Sequence, residues 1–141
     1  MIAIRVDANE IIASGHLMRC LSIADALFSL GEEVIFYTSD EFAEQTITKR
    51  GFKAIRLHYA WNDKESELNQ LSGELEKNCP RLLLIDSYQV TKQYLKSLRQ
   101  SVKLLTYHDN NDIIQDKVTR MRNLNCRTGA KRLAESLSLD K

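Results

Sequence analysis

The chain predicts an α/β fold: a Rossmann-like parallel sheet of about five strands with helices on both faces. Three observations carry this expectation. Short apolar, strand-favouring runs alternate with stretches whose apolar residues recur at helical spacing, the order of a parallel sheet built from βαβ units. Gly31 and Gly51 follow two of the helical stretches, and Pro80 precedes a strand-like run, so the punctuation falls where the periodicity changes. Polar residues also gather in the loop after the first apolar run, at the carboxyl edge where open α/β sheets bind ligands.

The elements follow in order. Ile2, Ile4 and Val6 mark a strand over Met1 to Val6. Leu17, Cys20, Leu21, Ala24, Leu27 and Phe28 lie at helical spacing and predict a helix over Gly15 to Leu30. Ser14 stands where an N-cap hydroxyl accepts from the amides of the first turn, and Gly15 lets a ligand approach those amides closely. A strand over Glu33 to Thr38, a helix over Asp40 to Lys49 and a strand over Lys53 to His58 come next, with Gly31 and Gly51 as C-terminal caps. Trp61 to Glu67 is the most loop-like interior segment, and a helical pattern runs from Lys64 to Lys77. Strands over Arg81 to Ile85 and Val102 to Tyr107 flank a helix over Thr91 to Arg99. Parallel strands joined this way use right-handed crossovers.

Composition narrows the function classes. With 43% hydrophobic and 28% charged residues, the chain of 141 residues has the make-up of a soluble globular domain, and a formal charge of +1 gives no argument for nucleic acid or an anionic membrane, neither of which is expected as a partner. A small molecule is the expected partner. No apolar run has the length of a membrane span, and the N-terminus has no signal-peptide pattern, so a cytoplasmic location is expected. Cys20, Cys79 and Cys126 are widely spaced and odd in number, which reads as reduced thiols.

The chemistry-bearing residues cluster after the first and fourth strands. His16 stands at the positive end of a helix dipole, a position that suits a neutral imidazole acting as general base; the alternative is a helix-start histidine bonded to backbone. Arg19 and Cys20 lie three and four residues on, on roughly the same face. Arg19 either contacts sugar or phosphate oxygens or forms a salt bridge, whereas Cys20 falls among the apolar positions and reads as a small buried hydrophobe. Asp7 and Asn9 either cap the turn or touch substrate, and Arg5 is placed to pair with Asp86 and orient the loop. Asp86, Ser87 and Tyr88 end the fourth strand, where Tyr88 is able to stack on or hydrogen-bond to a sugar; the alternative is a capped helix start. His108 and Asp109 close the fifth strand in the same geometry.

The stretch Arg5-Val6-Asp7-Ala8-Asn9 with Ser14-Gly15-His16-Leu17-Met18-Arg19-Cys20 resembles the opening of the nucleotide-sugar hydrolases of pseudaminic acid biosynthesis, which release UDP from a diacetamido-trideoxy-altropyranose, and of related spore-coat polysaccharide biosynthesis proteins. Leu84-Ile85-Asp86-Ser87-Tyr88, followed by Val90-Thr91 and Tyr94-Leu95, resembles the family's fourth strand and next helix. The resemblance implies the N-terminal half of a GT-B fold, His16 as catalytic base, and substrate contacts from Arg5, Asp7, Asn9, Ser14, Gly15, Arg19, Asp86, Ser87, Tyr88 and Asp109. It covers residues 1–109 as a Rossmann-like domain, is interrupted by an irregular connection at 110–127, and resumes at 128–141, which looks like the family's last helix packing back on the domain. The family's nucleotide-binding domain is thus expected to be missing, which implies a docking face open to a second copy or to a separate nucleotide-binding domain.

Absent motifs bound the alternatives. The loop from Asp7 to His16 contains no G-x-G-x-x-G and the chain no G-x-x-x-x-G-K-[ST], so neither a dinucleotide cofactor nor a P-loop nucleotide is expected. His16 and Cys20 are one turn apart without further ligands at motif spacing, and no metal or cofactor is expected. Two functions remain: a UDP-sugar hydrolase domain, or a non-catalytic remnant serving as a sugar-binding or assembly module.

Overall fold

Five consecutive buried residues, Ile2–Val6, form β1, all apolar but Arg5, and their burial on both sides of the strand fits its place between two neighbouring strands. A computed structural model describes residues 1–12, 14–87, 89–102, 104–108 and 119–120. After β1 come α1 (Gly15–Ser29), β2 (Val34–Thr38), α2 (Glu41–Lys49), β3 (Lys53–Arg56), α3 (Lys64–Asn78), β4 (Leu82–Asp86), α4 (Lys92–Leu98), β5 (Leu104–His108) and β6 (Thr119–Arg120). The strand order is β3-β2-β1-β4-β5-β6 and every neighbouring pair is parallel. The body β3-β2-β1-β4 is extended by β5 and by the two-residue β6, so among the described residues the sheet has six strands where about five were expected. The extra strand falls inside the stretch 110–127 read as irregular; two residues are too few to leave a periodic signal.

Alternation along β1 divides the core. Ile2, Ile4 and Val6 pack with Leu17, Leu21, Ala24 and Leu27 of α1 and Ala43 and Ile47 of α2 on one face. Ala3, with Ile35 and Tyr37 of β2 and Leu83 and Ile85 of β4, packs against Leu71 and Leu75 of α3 and Tyr94, Leu95 and Leu98 of α4 on the other. Helices therefore cover both faces, as the alternating pattern requires. Gly31 (φ +83) and Gly51 (φ +91) adopt left-handed backbone just past α1 and α2, where a side chain would be strained. Phe28, placed by spacing on the buried stripe of α1, is instead 70% exposed in the last turn of the helix, where its ring stands T-shaped to that of Phe52. The strand order reverses direction between β1 and β4. Loops leaving these two strands part in opposite senses and open a crevice at the carboxyl edge.

Candidate functional site

The loop from β1 to α1 is shaped by Asn9. Its Oδ1 accepts from the amides of Ile11 (2.9 Å) and Ile12 (3.0 Å), and its Nδ2 donates to Asp40 at 3.2 Å. Of the two readings for Asn9, the structure shows turn capping. Ser14 precedes α1 but its hydroxyl makes no cap bond; at φ −105 and ψ 1 it lies outside the extended region that swings an N-cap oxygen toward the first-turn amides. Its carbonyl instead accepts from Met18 at 2.9 Å. A Cβ added at Gly15 would meet nothing within 4 Å, so the start of α1 is open to approach.

His16 projects from that first turn to the end of β4. Its Nδ1 lies 2.5 Å from Asp86 Oδ1. A carboxylate can only accept, and this contact is much shorter than the 3.2 Å from an Arg19 terminal nitrogen to the same Nδ1, so Asp86 favours the proton on Nδ1, which leaves the lone pair of a neutral ring on Nε2. Arg19 grips the same carboxylate with two donors, Nε to Oδ2 at 2.8 Å and a terminal nitrogen to Oδ1 at 2.7 Å. The thiol of Cys20 donates to Oδ2 at 3.6 Å. Burial, then the nearby Asp86 carboxylate, raises the Cys20 thiol well above its ordinary value, so it stays protonated and reads as the small buried group expected. The anion that Arg19 holds beside His16 is thus Asp86, the salt-bridged alternative for this arginine.

Arg5 does not pair with Asp86. In the β1–β4 register Arg5 stands beside Ile85 and Val6 beside Asp86, and successive side chains point to opposite faces, so Arg5 and Asp86 lie on opposite sides of the sheet. Arg5 instead donates to both oxygens of Glu67 (2.8 Å each), to Asp7 Oδ1 (2.7 Å) and to the Ser39 hydroxyl (2.8 Å). Asp7 further accepts from the Ser39 amide (2.7 Å), the Thr38 hydroxyl (3.3 Å) and Lys64 Nζ (2.9 Å). Tyr94 donates to Glu67 at 3.0 Å. Burial by itself would push the Asp7 carboxyl up, but Arg5 and then Lys64 overcome it and hold that group far below the usual carboxylate range. Among the described residues, every buried side-chain nitrogen and oxygen has a partner. Lys64 and Glu67, which fall both in the loop-like segment and in the helical pattern from Lys64 to Lys77, are buried charged residues of α3. Their signal was periodic: they fall on the same helical face as Leu71 and Leu75.

These two clusters meet at a notch of about 30 Å³ lined by Asp7, Ile12, His16, Trp61, Asp86, Ser87 and Gln89. That volume holds one or two waters rather than a sugar, because roughly 10–15 Å³ of this measure suffices for one water. A larger ligand would rest across the mouth. Of the residues singled out from sequence, the notch gathers Asp7, His16, Asp86 and Ser87, with Arg19 behind Asp86; Asn9, Ser14 and Gly15 form the neighbouring loop and helix start, and Arg5 lies beneath. Tyr88, Asp109 and the stretch 128–141 lie outside the described residues, as does Cys126, and β5 places the backbone of His108 opposite that of Asp86. Sequence reading missed Ile12, Trp61 and Gln89. Trp61 follows β3 and Gln89 follows β4, on the carboxyl edge where loops line ligand crevices, and that placement was the available signal.

No known family model matches this chain. It is 30% identical over 111 residues to an uncharacterized protein of Methanocaldococcus jannaschii, covering 77% of this chain and 21% of that protein. Among solved structures, MurG of Acinetobacter baumannii superposes with a TM-score of 0.62 at 9% identity, over 89% of this chain and 42% of that one. A glycosyltransferase from Rickettsia africae superposes with a TM-score of 0.55 at 12% identity, over 86% and 42%. At such identities the likeness is one of fold. The sheet is the Rossmann-like sheet found in GT-B glycosyltransferases, and this chain spans less than half the length of those structures and about a fifth of its sequence relative. Among the described residues, no helix is long and apolar enough to cross a membrane.

Proposed function

We propose that this chain is a nucleotide-sugar hydrolase-type domain, acting on a UDP-sugar of surface polysaccharide or nonulosonic acid biosynthesis, with His16 as general base. One observation carries this reading: an imidazole, oriented through Nδ1 by a buried carboxylate, lines a water-sized notch at the switch point of the sheet. In the proposed step a water in the notch gives a proton to His16 Nε2 while its oxygen bonds to the anomeric carbon. The bond from that carbon to the diphosphate oxygen breaks, and UDP leaves with the electron pair. Asp86 positions the ring and Arg19 positions Asp86. General-base assistance of this kind contributes about 10² to 10⁴ in rate. The likeness to a glycosyltransferase fold supports a sugar-related role, and the residues quoted for the family resemblance supply the hydrolytic one.

The size of the notch favours a second reading. With only about 30 Å³ enclosed, the described residues form one wall of a sugar site, as in a sugar-binding or assembly module that works against a second copy or a separate nucleotide-binding domain. UDP release from UDP-2,4-diacetamido-2,4,6-trideoxyaltrose by the purified chain separates the two. Slow release that falls about 10²-fold or more in His16→Ala supports the hydrolase. Release equal in wild type and His16→Ala overturns the base assignment, and binding without release supports the module.

A further inference from the structure

Trp61 is the one tryptophan of the chain and stands half-buried at the notch, held in a turn rather than in the core. The turn is fixed on both sides. The Asp63 amide donates to the Ala60 carbonyl at 2.9 Å, Asp63 caps α3 through the Ser66 amide, and Lys64 is tied at 2.9 Å to Asp7, itself a lining residue of the notch. An indole presented on so braced a loop is a preformed wall. The same notch is lined by polar groups, among them the His16 imidazole and the Asp86 carboxylate, and by the apolar Ile12. An apolar aromatic wall beside a few polar groups matches an amphipathic ring ligand, whose C–H face packs on the indole while its hydroxyls or amides reach those groups.

We propose that Trp61 stacks against the sugar ring of the ligand and determines which sugars the site accepts; this rests on the sugar-nucleotide reading above. The indole lines the same notch as His16, and the proposed step sets the anomeric carbon at the mouth of that notch, so Trp61 stands at the sugar end of the ligand. Because Trp61 is the sole tryptophan, its emission reports that contact directly.

The test titrates the His16→Ala chain, in which turnover is suppressed, with UDP-2,4-diacetamido-2,4,6-trideoxyaltrose and with UDP alone, following tryptophan emission and calorimetric heat together. The expected result is an emission change with the sugar nucleotide and none with UDP, a Kd raised roughly two- to twelvefold by Trp61→Ala, and a Kd nearly restored by Trp61→Phe. Calorimetric binding without an emission change, or an unaltered Kd in Trp61→Ala, overturns the role of Trp61 and leaves the hydrolase reading standing. An emission change in a chain whose wild type releases no UDP supports Trp61 and overturns the hydrolase. No calorimetric binding of the sugar nucleotide overturns both.

Discussion

Asp86 is the residue through which the site is organised. One buried carboxylate accepts from His16, twice from Arg19 and once from Cys20, all three carried by the first turn and a half of α1. Replacing it by Asn removes the charge that Arg19 faces and places an amide, which also donates, against His16 Nδ1. The Nδ1-bound proton signal seen by nitrogen-15 NMR in the wild type should be lost in Asp86→Asn, and UDP release should fall by up to the full general-base contribution of about 10² to 10⁴. An unchanged tautomer would show that Asp86 does not set it. Asp86→Ala should cost stability as well, about 3 kcal/mol, the low end for breaking a buried pair, because Arg19 keeps 20% of its side chain in solvent. Urea midpoints of the two variants separate the chemical effect from the structural one.

At the scale of elements, the strands and helices anticipated from periodicity and caps fall within one residue of their boundaries, apart from β5, whose start differs by two, and β3, which ends at Arg56 rather than His58. The helices were legible from buried residues at helical spacing, and β1, β2 and β4 from short runs buried at every position. What joins them was not. Whether Arg5 meets Asp86 or Glu67 depends on the register of β1 against β4, and a one-residue change of register exchanges the faces. The helical pattern from Lys64 was legible, but the burial of Lys64 and Glu67 on the face of α3 that carries Leu71 was not, because charged residues are rarely fully buried unless paired. The glycines give a test at this scale. Gly31→Ala and Gly51→Ala place a Cβ on left-handed backbone and should each destabilise by about 1 kcal/mol. Gly73, in the exposed middle of α3 with open space around it and no positive φ, should gain about 0.5–1 kcal/mol as Ala. Thermal melts of the three variants should therefore move in opposite directions, and equal shifts would contradict the backbone assignments.

For the whole molecule, the sheet separates two charged assemblies that depend on each other. On the α1 side stand His16, Asp86 and Arg19, and on the α3 side two cations, Arg5 and Lys64, are closed against two anions, Asp7 and Glu67, with Tyr94 completing the ring of donors. Asp7 belongs to the buried assembly and lines the notch, so the packing of α3 against β1 and the shape of the site are set by the same carboxylate. Truncation by Glu67→Ala would leave Arg5, which has no exposure to water, with Asp7 as its one remaining carboxylate partner of the two and should cost about 3 kcal/mol, the low end for breaking a buried pair. The pH dependence follows from Asp7. Its folded carboxyl is held far below the value near 3.9 that it regains on unfolding, so the unfolded chain binds the proton first. The stability it contributes is complete above that unfolded value and is lost progressively as the pH falls below about 4, with a limiting slope of about 1.4 kcal/mol per pH unit for this one group. Urea midpoints measured from pH 7 down to pH 2.5 should stay level with respect to Asp7 until about pH 5 and then decline, and Asp7→Asn, though less stable throughout, should show a shallower acid decline. An equally steep decline in that variant would place the acid sensitivity in other carboxylates and show that the Arg5 and Lys64 pairing does not govern it.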